Sequence, residues 1–143
     1  MFSGVIRPTV ALWLFATGTV AAEAPVRAVA TVSQLHEVMI KPASDTMFNA
    51  ARRAPAGDGD WTVLRRAAIT LAESGNLLMI GARARDQGRW MKLSRELLDV
   101  SGEAATAAGA SNLDLFIAIS DRLVDVCESC HVRYRSPGDK ARK

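Results

Sequence analysis

Ser111-Asn-Leu-Asp-Leu-Phe-Ile-Ala-Ile-Ser-Asp-Arg-Leu-Val-Asp-Val-Cys-Glu-Ser-Cys-His-Val-Arg-Tyr-Arg-Ser-Pro-Gly138 carries the plainest structural signal in the chain. Leu113, Phe116, Ile117, Ser120, Leu123, Val124 and Cys127 recur at spacings of three and four, the period of one helix face. Ser111-Asn-Leu-Asp114 opens this helix, and Pro137-Gly138 stops it near Arg135. The same face runs on through Cys127, Cys130 and His131, so whatever those residues do, they do it from one side of a helix.

Working outward, the helical period holds almost everywhere, with no hairpin signal and no sustained alternation. A first helix starts at Thr31-Val-Ser-Gln34, a capping-box pattern, with the stripe Val32, Leu35, Met39, Ile40. Pro42 is expected to kink or break it. Ala43 to Arg52 continues it, with Met47 and Phe48 facing inward. Ala54-Pro-Ala-Gly-Asp-Gly-Asp60 is a turn-rich link. Asp60 is expected to cap a second helix, about Trp61 to Arg85, with Val63/Leu64, Ala67/Ala68, Leu71, Leu78 and Met79 apolar. Gly75 in its middle suits the close approach of a neighbouring helix or a cofactor. Asp86-Gln-Gly88 breaks the chain again. A third helix runs from about Arg89 to Ala108 with Trp90, Leu93, Leu97, Leu98 and Val100/Ala104 apolar, and Gly109 ends it. Four helices of similar length with short links predict an all-α fold, an antiparallel up-down-up-down four-helix bundle.

The 143 residues suit one domain, expected to span 23–143. Residues 1–22 read as a secretory signal peptide. Arg7 lies in a short leading region, Val10 to Val20 is apolar, and Ala21-Ala22 offers small residues for cleavage. An uncleaved anchor is the alternative reading of that run, although it is short for a bilayer. Cleavage after Ala22 leaves Glu23 as the mature N-terminus and no membrane association. Of 18 Lys+Arg and 15 Asp+Glu, only Arg7 is removed, which leaves a net charge of +2. No basic block is interleaved with aromatics, so nucleic acid is not implied. Lys140-Ala-Arg-Lys143 is a solvated end.

Both cysteines fall in Cys127-Glu-Ser-Cys130-His131, which is C-x-x-C-H, the signature of c-type haem attachment. Two thiols must add to two haem vinyl groups, and positions three apart share a helix face. His131, four residues after Cys127, brings its imidazole to that face as an axial iron ligand. A disulfide between residues this close would staple almost no chain. A dithiol redox pair opens a helix after a strand in a βαβ context, whereas this pair closes the last helix of an all-helical chain. A zinc site needs two further ligands, and His36 is the only other histidine.

Cys127-Glu-Ser-Cys130-His131-Val-Arg-Tyr134-Arg135 resembles the C-x-x-C-H-x-x-[YF]-R ending of class II c-type cytochromes, cytochrome c′ and its low-spin relatives. The resemblance covers about Val32 to Arg135 and is specific only at that C-terminal motif. It implies a periplasmic bundle with one covalent haem c, its iron held by His131. Some members bind small gases at a five-coordinate iron; others use a methionine of the first helix as sixth ligand and transfer electrons. In this sequence Leu35-His36-Glu-Val-Met39-Ile-Lys-Pro42 places His36 where that methionine stands, a departure from the family's pattern. His36, Met39 or neither therefore completes the iron, and at three residues apart both can face the haem. The plainer reading of His36 is a surface imidazole beside Glu37; that of Met39 is a core side chain. Arg65, Arg66, Arg83 and Arg85 read as solvated, with the haem propionates as their alternative partners. Arg135 lies near the haem's proximal face or is simply exposed, Tyr134 packs on the bundle or the haem edge, and Trp61 and Trp90 are core or interface residues rather than electron-hopping sites. Asp58, Asp60 and Asp86 belong to links and caps. No nucleophile–base pair, paired carboxylates or phosphate loop is present, so an enzyme is not expected. The expected function is electron transfer with redox partner proteins, a homodimer being allowed; the alternative is a haem protein that binds a gas such as nitric oxide.

Overall fold

In the computed structural model, residues 26–135 are described. The expected signal peptide, its cleavage site and the basic tail lie outside them. Among the described residues there are four helices and no strand.

Helix α1 spans residues 32–49 in three stretches. Val32–Leu35 and Lys41–Asn49 are α-helical, and His36–Ile40 between them is a π-turn. The expected capping box is present, with Thr31 Oγ1 accepting from Gln34 N and Gln34 Oε1 accepting from Thr31 N. Pro42 does not break this helix. Proline lacks the N–H that a carbonyl four residues back would accept, and its ring presses on that carbonyl. The widened turn just upstream, in which Lys41 N–H donates to His36 O, lets the helix pass through the proline unbroken.

Helix α2 is Asp58–Leu78, shorter at its end and longer at its start than the expected 61–85. Asp60 is not its N-cap: Gly57 is, and Asp60, inside the first turn, reaches back to accept from Ala56 N at 2.8 Å. The chain leaves α2 at Met79, and Gly81 takes φ +55°, a left-handed conformation that suits glycine. A short 3-10 turn, Gly81–Arg83, follows. Helix α3 is Arg89–Gly109, and helix α4 is Leu113–Tyr134, capped by Asn112 Oδ1 on Leu115 N.

Helix α3 packs back along α2, and α4 back along α3. A Cβ on Gly75 of α2 would sit 2.7 Å from Ser94 O and 2.9 Å from Leu98 N of α3, while Gly109 lies beside Arg65. Gly75 thus serves the approach of a helix rather than of a cofactor. Arg122 of α4 pairs with Glu103 of α3 at 2.5 Å, and Tyr134 packs edge-on against Trp90. Leu64, Ala68, Leu71, Trp90, Leu97, Ala104, Phe116 and Leu123 form the core with Ile40 and Met47 of α1. Val63 and Val124, both on expected stripes, are exposed. Helix α1 packs chiefly on α2 and meets α4 only thinly. A small cleft of about 140 Å³ remains in that seam, lined by Met47, Phe48, Ala51, Ile117, Ser120, Asp121 and Val124.

Candidate functional site

Cys127, Cys130 and His131 lie along the last two turns of α4, on the inward side that the three-and-four spacing sets. All three are half-buried, and Cys127 packs against the core. The thiols are not joined. Burial pushes the Cys127 thiol up to about 11, with Cys130 and Glu128 adding to the effect. Burial also raises Cys130, against the opposing charge of Arg85. Redox-active C-x-x-C pairs have depressed thiol pKa values; both thiols here are shifted in the opposite direction.

His131 is shifted the other way. Burial lowers its pKa first, and the neighbouring His36 and Arg135 lower it further. That favours the neutral imidazole, which is the form that ligates a metal. Its neighbour is the other histidine. The rings of His36 and His131 lie with centroids 5.4 Å apart and planes at 56°. His36 reaches this position from the π-turn of α1, across the thin α1–α4 seam, and is half-buried. Met39 is also half-buried, in the same turn; the structure sets the His36 ring against His131 and leaves both candidates on α1.

The surroundings hold the end of α4 in place. Trp90 is 3% exposed and donates its indole N–H to Leu78 O at 2.8 Å. Tyr134 packs edge-on against it, centroids 5.0 Å apart, and the Arg85 guanidinium lies 5.5 Å from the centre of the Trp90 ring. Tyr134 therefore packs on the protein, as one of its two expected places has it. The Tyr134 hydroxyl donates to Asp86, whose carboxylate also accepts from Gly88 N and Trp90 N. Asp86 thus lies in the expected link before α3, with a role towards Tyr134 that no local pattern could reveal. Arg83, expected in solvent, is 7% exposed. It donates to Ala30 O at 2.8 Å and to Leu77 O at 3.3 Å, tying the segment before α1 to the end of α2. Its sequence signal was only its place beside Gly81. Arg65, Arg66 and Arg85 are exposed as expected, and Arg135 is half-buried.

The donor set bears on which group these residues fit. Among the described residues no group of three or more His, Cys, Asp and Glu could hold a bare metal ion, so a zinc centre does not fit. Two half-buried thiols three residues apart and two neighbouring imidazoles suit a group that would be anchored covalently through the thiols and whose metal would be held by the imidazoles. A larger open cleft of about 610 Å³, lined by Arg89, Asp125, Glu128, Ser129, Val132 and Arg133, uses α4 positions turned away from the cysteines and holds no comparable donor set. Comparison with protein-family models, curated proteins and solved structures finds no match for this chain.

Proposed function

We propose that the chain is an exported mono-haem c-type cytochrome that transfers electrons, built as an up-down-up-down four-helix bundle around a haem in the α1–α4 seam. The observation that carries this reading is the meeting of the two histidines. The C-x-x-C-H motif supplies two thiols and one imidazole from α4, and the chain's only other imidazole lies 5.4 Å from the first, ring centre to ring centre. Cys127 and Cys130 are the thioether anchors, His131 the proximal ligand and His36 the sixth ligand, with Met39 the alternative. When bound, the haem supplies a one-electron ferric–ferrous couple.

The protein's part is to fix and tune that couple. Covalent anchoring at Cys127 and Cys130 prevents loss of the group during turnover. Partial burial favours the neutral form of the His131 imidazole, and ligand type and burial are the levers by which a protein sets a haem potential. Arg85 and Arg135, beside Cys130 and His131, are the cations placed to meet carboxylates on the group. If both His131 and His36 held the iron, no position on it would be left open for a substrate, which suits an electron carrier serving redox partner proteins better than an enzyme. Export to the periplasm, where haem is attached, agrees with the leading segment. No described helix is long and apolar enough to cross a membrane.

Expression with haem-maturation machinery tests the reading. The purified protein should keep its haem through acid–acetone extraction and denaturing electrophoresis, and its mass should equal the polypeptide from Glu23 plus one haem. Cys127→Ser or Cys130→Ser should sharply reduce the haem-loaded yield. Release of the haem by acid–acetone from the wild-type protein overturns the reading. A high-spin protein that takes up carbon monoxide unhindered keeps the attachment and moves the function to gas binding.

A further inference from the structure

The π-turn at His36–Ile40 lies where a regular helix would have given a different site. Downstream of it Ile40, Ala43, Met47 and Ala50 are buried at spacings of three and four, an ordinary α stripe. An α-helix turns about 100° per residue. Continued backward as an α-helix, this stripe would have His36 at its centre, four residues before Ile40. Leu35 would stand about 140° round from Ile40, facing outward. The structure has the reverse: Leu35 is 4% exposed, within the core, and His36 is half-buried against α4. A π-turn holds about one residue more than an α-turn, and that extra residue makes the exchange. It brings Leu35 into line with Ile40, five residues on, and moves His36 off the centre of the stripe.

The same widening separates His36 from Met39. On an α-helix, residues three apart lie within about 60° of each other, and an imidazole and a thioether there would compete for one metal position. Fewer degrees per residue in the π-turn spread them further apart, with His36 on the side of His131.

We propose that the π-turn of α1 is the positioning element of this site: its one extra residue seats Leu35 in the core, turns His36 to His131 and turns Met39 away. Pro42 is the residue that seats the turn, because it denies the upstream carbonyls their regular α partner. The geometry concerns the cofactor's surroundings whatever the spin state; its consequence for ligation rests on the reading above.

The test removes the extra residue. Val38 is 66% exposed, so deleting it together with Pro42→Ala lets the segment close as a plain α-helix. Leu35 and His36 then stand four and three residues before Ile40, close to their present directions. Deleting Glu37 and Val38 together turns His36 to the opposite side. Two readouts on the haem-loaded proteins separate the questions: the absorption spectrum, and the rate at which diethyl pyrocarbonate modifies His36, the only histidine outside the motif. The single deletion should keep the wild-type spectrum and slow modification, and the double deletion should speed modification several-fold. A single deletion that releases His36 as fully as the double one overturns the proposal. A point-substituted protein guards against poor folding of the deletions: in His36→Ala/Met39→His, the new imidazole should fail to restore a low-spin spectrum, and restoration overturns the proposal. A wild-type spectrum unchanged by His36→Ala removes ligation by His36, while the modification rates still decide the turn.

Discussion

The hydroxyl of Tyr134, on the last turn of α4, donates to the carboxylate of Asp86, which also caps the start of α3 through Trp90 N and Gly88 N. One carboxylate thereby fastens the turn after His131 to the loop in front of α3. Tyr134 is the largest cause holding Asp86 below its ordinary 3.8, followed by the Trp90 amide. Asp86 in turn is what raises the phenol above 10.0.

Linkage gives the pH dependence its sign. Asp86 has a lower pKa folded than unfolded, so its contribution to stability is complete above about pH 4. It is lost as pH falls through 3.8 and below. Tyr134 has a higher pKa folded than unfolded, so its contribution holds below pH 10.0 and is lost as pH rises past it. Tyr134→Phe should return the Asp86 pKa, followed by NMR titration, toward 3.8. It should also lower the thermal midpoint at pH 6 more than at pH 2. An equal loss at both pH values would show that the hydroxyl's bond to the ionised Asp86 carboxylate contributes nothing to stability.

Gly75 and Gly102 give a pair of opposite outcomes for the same substitution. A methyl at Gly75 meets backbone atoms, Ser94 O at 2.7 Å and Leu98 N at 2.9 Å, whereas at Gly102 nothing lies within 4 Å. Alanine is favoured over glycine in a helix by about 1 kcal/mol, and overpacking costs about 1–3 kcal/mol. Gly75→Ala should therefore lower stability on balance, and Gly102→Ala should raise it by up to about 1 kcal/mol. Chemical denaturation of the two variants reads the sign directly. A stabilised Gly75→Ala would show that α2 and α3 do not approach as closely as described.

Much of this was legible in the sequence because it is local. The three-and-four spacing from Leu113 to Cys127, the capping box at Thr31 and the breaks around Gly88 and Gly109 each depend on a few neighbouring residues. What escaped depends on partners far along the chain. Arg83 reads as a solvated cation because its two acceptors, Ala30 O and Leu77 O, are main-chain atoms that only the fold brings near. The end of α2 was placed too late because Met79, Ile80 and Ala82 continue an apolar pattern, while Gly81 alone marks the left-handed turn. Pro42 announces a disturbance but not its form. A kink and a π-turn both answer a missing N–H, and the burial of Leu35 favours the second. The meeting of His36 and His131 was foreseeable only as a pair of candidates, since spacing along α1 cannot say which of its faces meets α4.

The sixth position gives the sharpest prediction for the site. His36 faces His131 at 5.4 Å between ring centres, and Met39 stands in the same turn. With His36 as ligand, the ferric haem should be low-spin and lack the near-infrared charge-transfer band that marks a methionine–iron bond. Two imidazoles should also hold the potential below that of histidine–methionine ligation, since a thioether raises it. His36→Ala removes the ligand and leaves a gap on the distal side, so the haem should turn high-spin and bind carbon monoxide readily. Met39→Leu exchanges one apolar side chain for another of similar volume, at a cost under about 1.5 kcal/mol, and should leave the spectrum and potential nearly as they were. Ferric and ferrous spectra of the three proteins, with and without carbon monoxide, decide the matter. A spin change in Met39→Leu with none in His36→Ala would assign the iron to the thioether. It would mean that the π-turn relaxes when haem is bound, because a regular α-turn is what brings the position three residues further along toward the same face.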